Sequence, residues 1–224
     1  MDVLLISGGH VDLEFARNFL KDHAFEKVIA VDGGLEAAYQ LNAAPLTDIV
    51  GDFDTVSPKI LEKYKRAAEK ENGPVIHEYI PEKDYTDTDI ALKLAIQYCE
   101  GNGESRIWIL GATGTRLDHV LANITMLLLP FRKGICAVIQ DEHNRISLLS
   151  GHRTIKKNEH FGKYLSLIPL TAKISGVTLE GVKYPLHDHT VSLGESLCVS
   201  NEITGDQAAL WVKEGIAVLL ETRD

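Results

Sequence analysis

Five aspartates fall in two short segments of this chain, Asp52 and Asp54 in GDFD (51–54), which ends the run DIVGDFD, and Asp84, Asp87 and Asp89 in DYTDTD (84–89), about thirty residues apart. Carboxylates kept in a turn after an apolar run suit a hard cation, because Mg²⁺ takes oxygen ligands and normally keeps substrate phosphates as partners. Residues i and i+2 of a turn can present both carboxylates to one ion, and without a cation Asp52 and Asp54 repel each other. Helix capping explains part of the pattern. Asp54 can cap the helix that follows Pro58, Asp87 or Thr86 can cap the next one, and Asp89 can favour its dipole. Capping leaves Asp52 unexplained, so Asp52, Asp54, Asp84 and Asp87 are assigned to function and Asp89 to structure.

Three glycine turns accompany the acidic segments: SGG (7–9), DGG (32–34) and GATG (111–114). Each can bring backbone N–H groups up to a phosphate at a helix N-terminus, and each alone can equally be a tight strand-to-helix turn. Beyond GATG come Arg116 and Asp118, where a guanidinium can hold phosphate oxygens or pair with Asp118 as a structural bridge. Lys83, beside the acidic loop, is a candidate phosphate contact. The nine histidines show no HExxH or similar metal spacing.

These segments need strands and helices to place them. Runs 3–6, 27–31, 48–50, 77–80, 106–110 and 135–140 read as short buried strands. The segments after most of them, including 13–20, LEAAYQL, KILEKYKRAAEK, TDIALKLAIQYCE and VLANITMLLL, carry apolar residues at helical spacing. Repeated strand–helix units imply a mostly parallel sheet covered on both faces, with ligands beyond the carboxyl ends of its strands. Every acidic or glycine turn named above lies at such an end. After about residue 142 the texture changes to short β-rich runs, RISLLS, RTIKK, YLSLIPL, AKISGV, HTVSL, SLCVS and IAVLLE, with no convincing amphipathic helix between them. The expected organisation is an α/β domain over 1–142 and a smaller all-β sandwich over 143–224, with Asp141 to Arg145 at the junction.

Composition narrows the partners. The 224 residues carry 23 basic and 32 acidic side chains, a net charge of −9, which disfavours nucleic acid and anionic membranes. Cys99, Cys136 and Cys198 are far apart and form no CxxC, which suits a reducing compartment. The N-terminal apolar run is too short for a signal peptide, and no window reaches the roughly 18–20 apolar residues of a membrane span. The expected location is the cytoplasm.

Taken in order, DGG, GDFDT, EKDYTDTD with its following helix, GATGTRLDH and a late VSN (199–201) resemble the thiamine pyrophosphokinase family across nearly the whole chain. The resemblance implies transfer of a diphosphate from ATP to the hydroxyl of thiamine, giving thiamine diphosphate and AMP, with Mg²⁺, by a homodimer that binds thiamine between subunits. It makes the α/β domain over 1–142 the nucleotide-binding catalytic domain. It matches Asp32, Asp52, Asp54 and Asp87 to the metal and polyphosphate, and Lys83 and Asp84 to the following active-site segment. Gly33, Gly111, Thr113, Arg116 and Asp118 fall on the nucleotide side, and Ser200 and Asn201 on the thiamine side. Catalytic roles go to Asp54, Asp84, Lys83 and Arg116, with Asp54 or Asp84 accepting the hydroxyl proton. One departure stands out: some relatives place an aromatic ring soon after that Asn, where this chain has Glu202, Ile203 and Thr204, and Trp211 comes too late to match. Competing readings are a pyrophosphokinase for another acceptor, such as a hydroxymethylpterin, and a non-catalytic nucleotide or thiamine sensor.

Overall fold

Buried runs of Val, Ile and Leu form the strands β1 (Asp2–Ile6), β2 (Lys27–Val31), β3 (Asp48–Gly51), β4 (Val75–Glu78), β5 (Arg106–Leu110) and β6 (Cys136–Gln140). The computed structural model describes residues 1–43, 45–80, 84–114 and 116–224. Within Met1–Glu142, one of two compact units, these strands lie in the order β6-β5-β1-β2-β3-β4, with every pair parallel. From β1 the chain proceeds outward through β2, β3 and β4, then returns to place β5 on the other side of β1. That reversal makes β1 and β5 the switch point, where the loops beyond adjacent strands diverge and leave room for a ligand.

Helices α1 (Leu13–Asp22), α2 (Gly34–Leu41), α3 (Pro58–Ala68), α4 (Asp87–Cys99), α5 (Leu117–Met126) and α6 (Leu128–Phe131) follow the strands. Leu4, Ile6, Val28, Ala30 and Ile49 pack with Ala16 and Phe19 of α1 and Leu35, Ala38 and Leu41 of α2. The alternate residues Val3, Leu5, Ile29, Val31 and Val50 are buried too, and α4, packed on β1, β2 and β3, brings Ala91, Leu92, Ala95 and Ile96 to the sheet. Burial of both faces explains why the strand runs are continuous rather than alternating. Several element ends shift by one or two residues from the sequence expectation, and two differences stand out. β4 begins two residues earlier, at Val75, and VLANITMLLL does not continue as one helix: α5 ends at Met126. Pro130 has no N–H to offer the Met126 carbonyl and its ring crowds it, so the helix breaks one turn before the proline.

The second unit, His143–Asp224, is antiparallel throughout: β7 (Asn144–Lys156), β8 (Tyr164–Pro169), β9 (Lys173–Glu180), β10 (Leu186–Ser192) and β11 (Gln207–Thr222). β11 organises it. Along one edge it pairs with β7 over its whole length, with a register break between Val212 and Ala217; its other edge meets β9 before the break and β8 after it. The break turns one strand into a member of two layers. The core between them holds Leu165, Leu167, Ile174, Val177, Val191, Leu210, Val212 and Leu219. RISLLS and RTIKK are thus one strand, and the residues 207–212, missed in the sequence, open the longest one. SLCVS forms turns rather than a strand, because Ser200 takes a left-handed φ of 58° that ends any ladder.

At the opposite end of β3 from the acidic loop, Asp48 is buried to 1% exposure. His77 Nε2 lies 2.9 Å from one of its oxygens, and Tyr98 Oη donates to both at 3.1 and 2.9 Å. Burial and this bond to Asp48 push the Tyr98 phenol up to about 12. A buried carboxylate that loses a donor keeps its desolvation cost. Tyr98→Phe is therefore expected to destabilise the protein by about 1.5–3 kcal/mol in urea unfolding, with turnover unchanged because Asp48 sits at the far end of its strand from the acidic loop.

Candidate active site

The loops beyond β1, β2, β3 and β5 are locked together by backbone. Ser7 N–H donates to Leu110 O at 2.8 Å and Gly9 N–H to Gly111 O at 2.9 Å, so the turns flanking the switch point share hydrogen bonds. A Cβ on Gly111, whose φ is +67°, would lie 2.4 Å from Ser7 O, and one on Gly34 would lie 2.1 Å from Ile6 O. Close backbone approach is thus what glycine supplies at these two positions. Asn123, buried on α5, donates to Ala112 O at 2.7 Å, and Thr113 Oγ1 donates to Asp141 at 2.7 Å. Both bonds hold the GATG turn against its own unit.

Two non-glycine residues in left-handed conformation mark the carboxylate loops: Asp32 at φ 45° and Phe53 at φ 63°. Each such residue costs about 1 kcal/mol or more and persists only where its surroundings hold it. Phe53 is held by burial of its ring in the core, which fixes the turn between Asp52 and Asp54. Asp32 is held by its N–H to Val50 O at 2.8 Å, by Leu35 N–H to its carbonyl at 2.9 Å, and by Thr55 Oγ1, which donates to Asp32 Oδ2 at 2.8 Å. Ligand oxygens of Asp32, Asp52 and Asp54 all lie within 4.8 Å of one another. Asp52 foremost, then partial burial and Asp32, hold the Asp54 carboxyl above the usual aspartate range. Asp32 Oδ1 is buried with no hydrogen-bond partner among the described residues. A group of carboxylates that pushes up the pKa of Asp54 and leaves one Asp32 oxygen buried without a partner among the described residues fits a hard divalent cation.

The remaining sequence candidates are distributed as follows. The α3 N-cap is Ser57, whose N–H donates to Glu36 Oε1 at 2.9 Å, so Asp54 does not cap that helix. Thr86 caps α4 by accepting from Asp89 N–H at 3.2 Å, and Asp89, 7% exposed, pairs with Lys93 at 2.8 Å. Asp87 stands in the first turn of α4, outside the three-carboxylate group, and Asp84 is exposed in the bend before it. The Ser7 and Thr88 hydroxyls, 2.7 Å apart, tie that turn to the SGG loop. Lys83 lies outside the described residues. Arg116 Nε and Nη2 donate to the two oxygens of Asp118 at 3.2 and 2.6 Å, and that hydrogen bonding carries Asp118 down to about 2. Both side chains are exposed, 70% and 65%, so the fork remains open to solvent while paired.

In the second unit, Asn201 is 4% exposed. Its side-chain oxygen accepts from Tyr184 N–H at 3.0 Å and Glu202 N–H at 2.9 Å, while its Nδ2 donates to Tyr184 O at 2.8 Å. One amide therefore grips both backbone groups of Tyr184, whose ring is 59% exposed. Ser200 N–H donates to Ser166 Oγ at 2.9 Å. Tyr184 is an aromatic residue beside Asn201 that sequence reasoning did not single out: it precedes Asn201 by 17 positions, and only the fold brings it there. Trp211 instead packs against His152, with ring centroids 4.8 Å apart and the planes tilted by 33°. It lines an open hollow of about 460 Å³ that includes neither Ser200 nor Asn201.

Comparison with known proteins covers both units. The family described as thiamin pyrophosphokinase, catalytic domain, matches residues 18–139, and the thiamin pyrophosphokinase vitamin B1 binding domain matches residues 152–216. Thiamine pyrophosphokinase of Bacillus subtilis is 33% identical over 197 residues, 88% of this chain and 87% of that protein. The crystal structure of thiamine pyrophosphokinase from Bacillus subtilis superposes with a TM-score of 0.85 at 27% identity, covering all of both chains. That of a thiamin pyrophosphokinase family protein from Enterococcus faecalis gives 0.82 at 27% identity, again over all of both chains. Its mostly parallel α/β unit, its antiparallel β unit and these matches together establish that this chain belongs to the thiamin pyrophosphokinase family.

Proposed function

We propose that this protein transfers the β,γ-diphosphate of ATP to the hydroxyl of thiamine, releasing AMP. The observation that carries the reading is the Asp32–Asp52–Asp54 group at the carboxyl edge of a parallel sheet, in a chain of this family. Asp32, Asp52 and Asp54, joined by Asp87 on the strength of the family resemblance, would hold Mg²⁺, which would supply charge neutralisation on polyphosphate oxygens. The first unit is then the nucleotide side. The SGG, DGG and GATG turns, through Gly33, Gly111 and Thr113 among others, present backbone to the nucleotide at helix N-termini, and Arg116 swings its fork from Asp118 to phosphate.

The reaction needs positioning and charge compensation more than covalent help. The thiamine hydroxyl oxygen bonds to the β-phosphorus, the bond from that phosphorus to the α,β-bridging oxygen breaks, and AMP leaves with the electron pair. The hydroxyl proton passes to a carboxylate, Asp54 or Asp84. Arg116 and Lys83 offset charge on the transferred group. The acceptor side falls to the second unit, where Tyr184 offers a flat exposed ring held in place by Asn201, with Ser200 adjacent. We also propose that the protein works as a homodimer in the cytoplasm, which sedimentation at assay concentration tests.

Turnover of ATP, thiamine and Mg²⁺ is expected to yield AMP and thiamine diphosphate in equal amounts by chromatography. A sensor would yield no AMP, and a pyrophosphokinase for another acceptor would leave thiamine unchanged. Asp52→Asn and Asp54→Asn are each expected to lower turnover by more than about a hundred-fold, beyond the 10- to 100-fold typical of outer-shell changes at metal sites. Substantial AMP from either variant at saturating Mg²⁺ would remove that residue from the metal site.

Arg116→Lys keeps the charge but loses the planar fork. Weaker turnover at an unchanged melting temperature is expected, because an exposed pair such as Arg116–Asp118 contributes little to stability. Normal kinetics with a lowered melting temperature would assign Arg116 to structure. Tyr184→Ala is expected to raise the KM for thiamine roughly three- to ten-fold, the worth of one aromatic stacking contact, with Tyr184→Phe close to wild type. An unchanged KM in Tyr184→Ala would exclude stacking there.

A further inference from the structure

Asp32 is the member of the carboxylate group that comes from a different loop, and its two oxygens are in different situations. Oδ2 accepts from Thr55 Oγ1 at 2.8 Å. Oδ1 is buried and has no partner among the described residues. Thr55 directly follows Asp54, so one five-residue loop, GDFDT, supplies two carboxylates of the group and also the hydroxyl that holds the third. A second bond, from Ser57 N–H to Glu36 Oε1 at 2.9 Å, joins the same two loop–helix segments one turn further on. The DGG and GDFDT loops are thus stitched at two points, one of which falls on a presumptive metal ligand.

We propose that Thr55 is a positioning residue for the cation site: by holding Asp32 Oδ2 it fixes the carboxylate plane and leaves Oδ1 as the oxygen offered to a divalent ion. The inference rests on the metal reading given above. A free carboxylate can rotate about its Cβ–Cγ bond and present either oxygen, and at a cluster of like charges it turns away from its neighbours. The Thr55 hydroxyl opposes that rotation. It donates to Oδ2 at 2.8 Å and leaves Oδ1 without a partner among the described residues. Its role is that of the outer-shell donors that orient metal ligands elsewhere, where loss of the donor typically weakens metal binding 10- to 100-fold. Thr55 itself is exposed at the protein surface and packs in no core, so its replacement tests orientation rather than folding.

The test uses Mn²⁺ as the probe, titrated into the full chain and followed by the electron paramagnetic resonance signal of the free ion. Wild type, Thr55→Val, Thr55→Ser and Asp52→Asn are compared, with melting temperatures measured in a chelator. Val matches Thr in shape without the hydroxyl, and Ser keeps the hydroxyl. Thr55→Val is expected to bind Mn²⁺ roughly 10- to 100-fold more weakly, Thr55→Ser to stay near wild type, and the melting temperatures of both to match wild type. Raising Mg²⁺ should restore the turnover of Thr55→Val, because the defect is one of affinity. Wild-type Mn²⁺ binding by Thr55→Val while Asp52→Asn loses it would overturn the role of Thr55 and leave the metal site standing. Equal weakening in Thr55→Val and Thr55→Ser would overturn the role of the hydroxyl. Unchanged binding in Asp52→Asn would remove the metal site itself, and this inference with it.

Discussion

Repulsion among Asp32, Asp52 and Asp54 is the constraint around which the first unit is arranged. Three carboxylates with oxygens inside 4.8 Å repel one another, and the upward displacement of Asp54, with Asp52 its largest cause, records that repulsion. Left-handed backbone at Asp32 and Phe53 is a second cost. Both are borne by a sheet whose strands are buried on two faces, and by loops whose backbones bond to each other rather than to water.

The geometry of the sheet explains why the carboxylates come from where they do. β1 and β5 mark the reversal of strand order, and the turns after them are joined by hydrogen bonds at 2.8 and 2.9 Å. The next strands outward, β2 and β3, carry the DGG and GDFDT loops. A ligand at the switch point therefore meets a glycine-lined backbone surface on one side and an acidic one on the other, which is what a polyphosphate with a bound cation requires. Asp48 sits at the far end of β3, paired with His77 and Tyr98. Two aspartates four residues apart on one strand and its loop thus sit in unlike surroundings, Asp48 buried among side-chain donors and Asp52 grouped with other carboxylates.

Much of this was legible in the sequence. Continuous apolar runs ending in DGG, GDFD or GATG announce parallel strands with loops on one edge, and Asp52 was singled out because capping left it unexplained. What the sequence could not show is long-range or conformational. Ser57 took the cap that Asp54 was a candidate for, and of the two residues offered for the next helix Thr86 rather than Asp87 took it, because capping depends on φ and ψ rather than on residue type alone. Pro130 broke a helix whose apolar pattern runs straight through it. In the β unit, periodicity alone does not distinguish the SLCVS turn from a strand, and the left-handed Ser200 decides it. Tyr184 gave no local signal, since its link to Asn201 is made by backbone groups across 17 residues.

The central claim is that the carboxylate group is a cation site built at a cost in stability, and thermal denaturation with and without Mg²⁺ tests it most directly. Ligand binding to the folded state raises the melting temperature, whereas relief of charge repulsion by mutation raises it in the absence of ligand. Wild type should melt higher as Mg²⁺ is added. Asp52→Asn should melt at or above wild type in chelator and respond little to Mg²⁺. A wild-type protein indifferent to Mg²⁺, or an Asp52→Asn variant that melts lower than wild type without metal, would contradict the account.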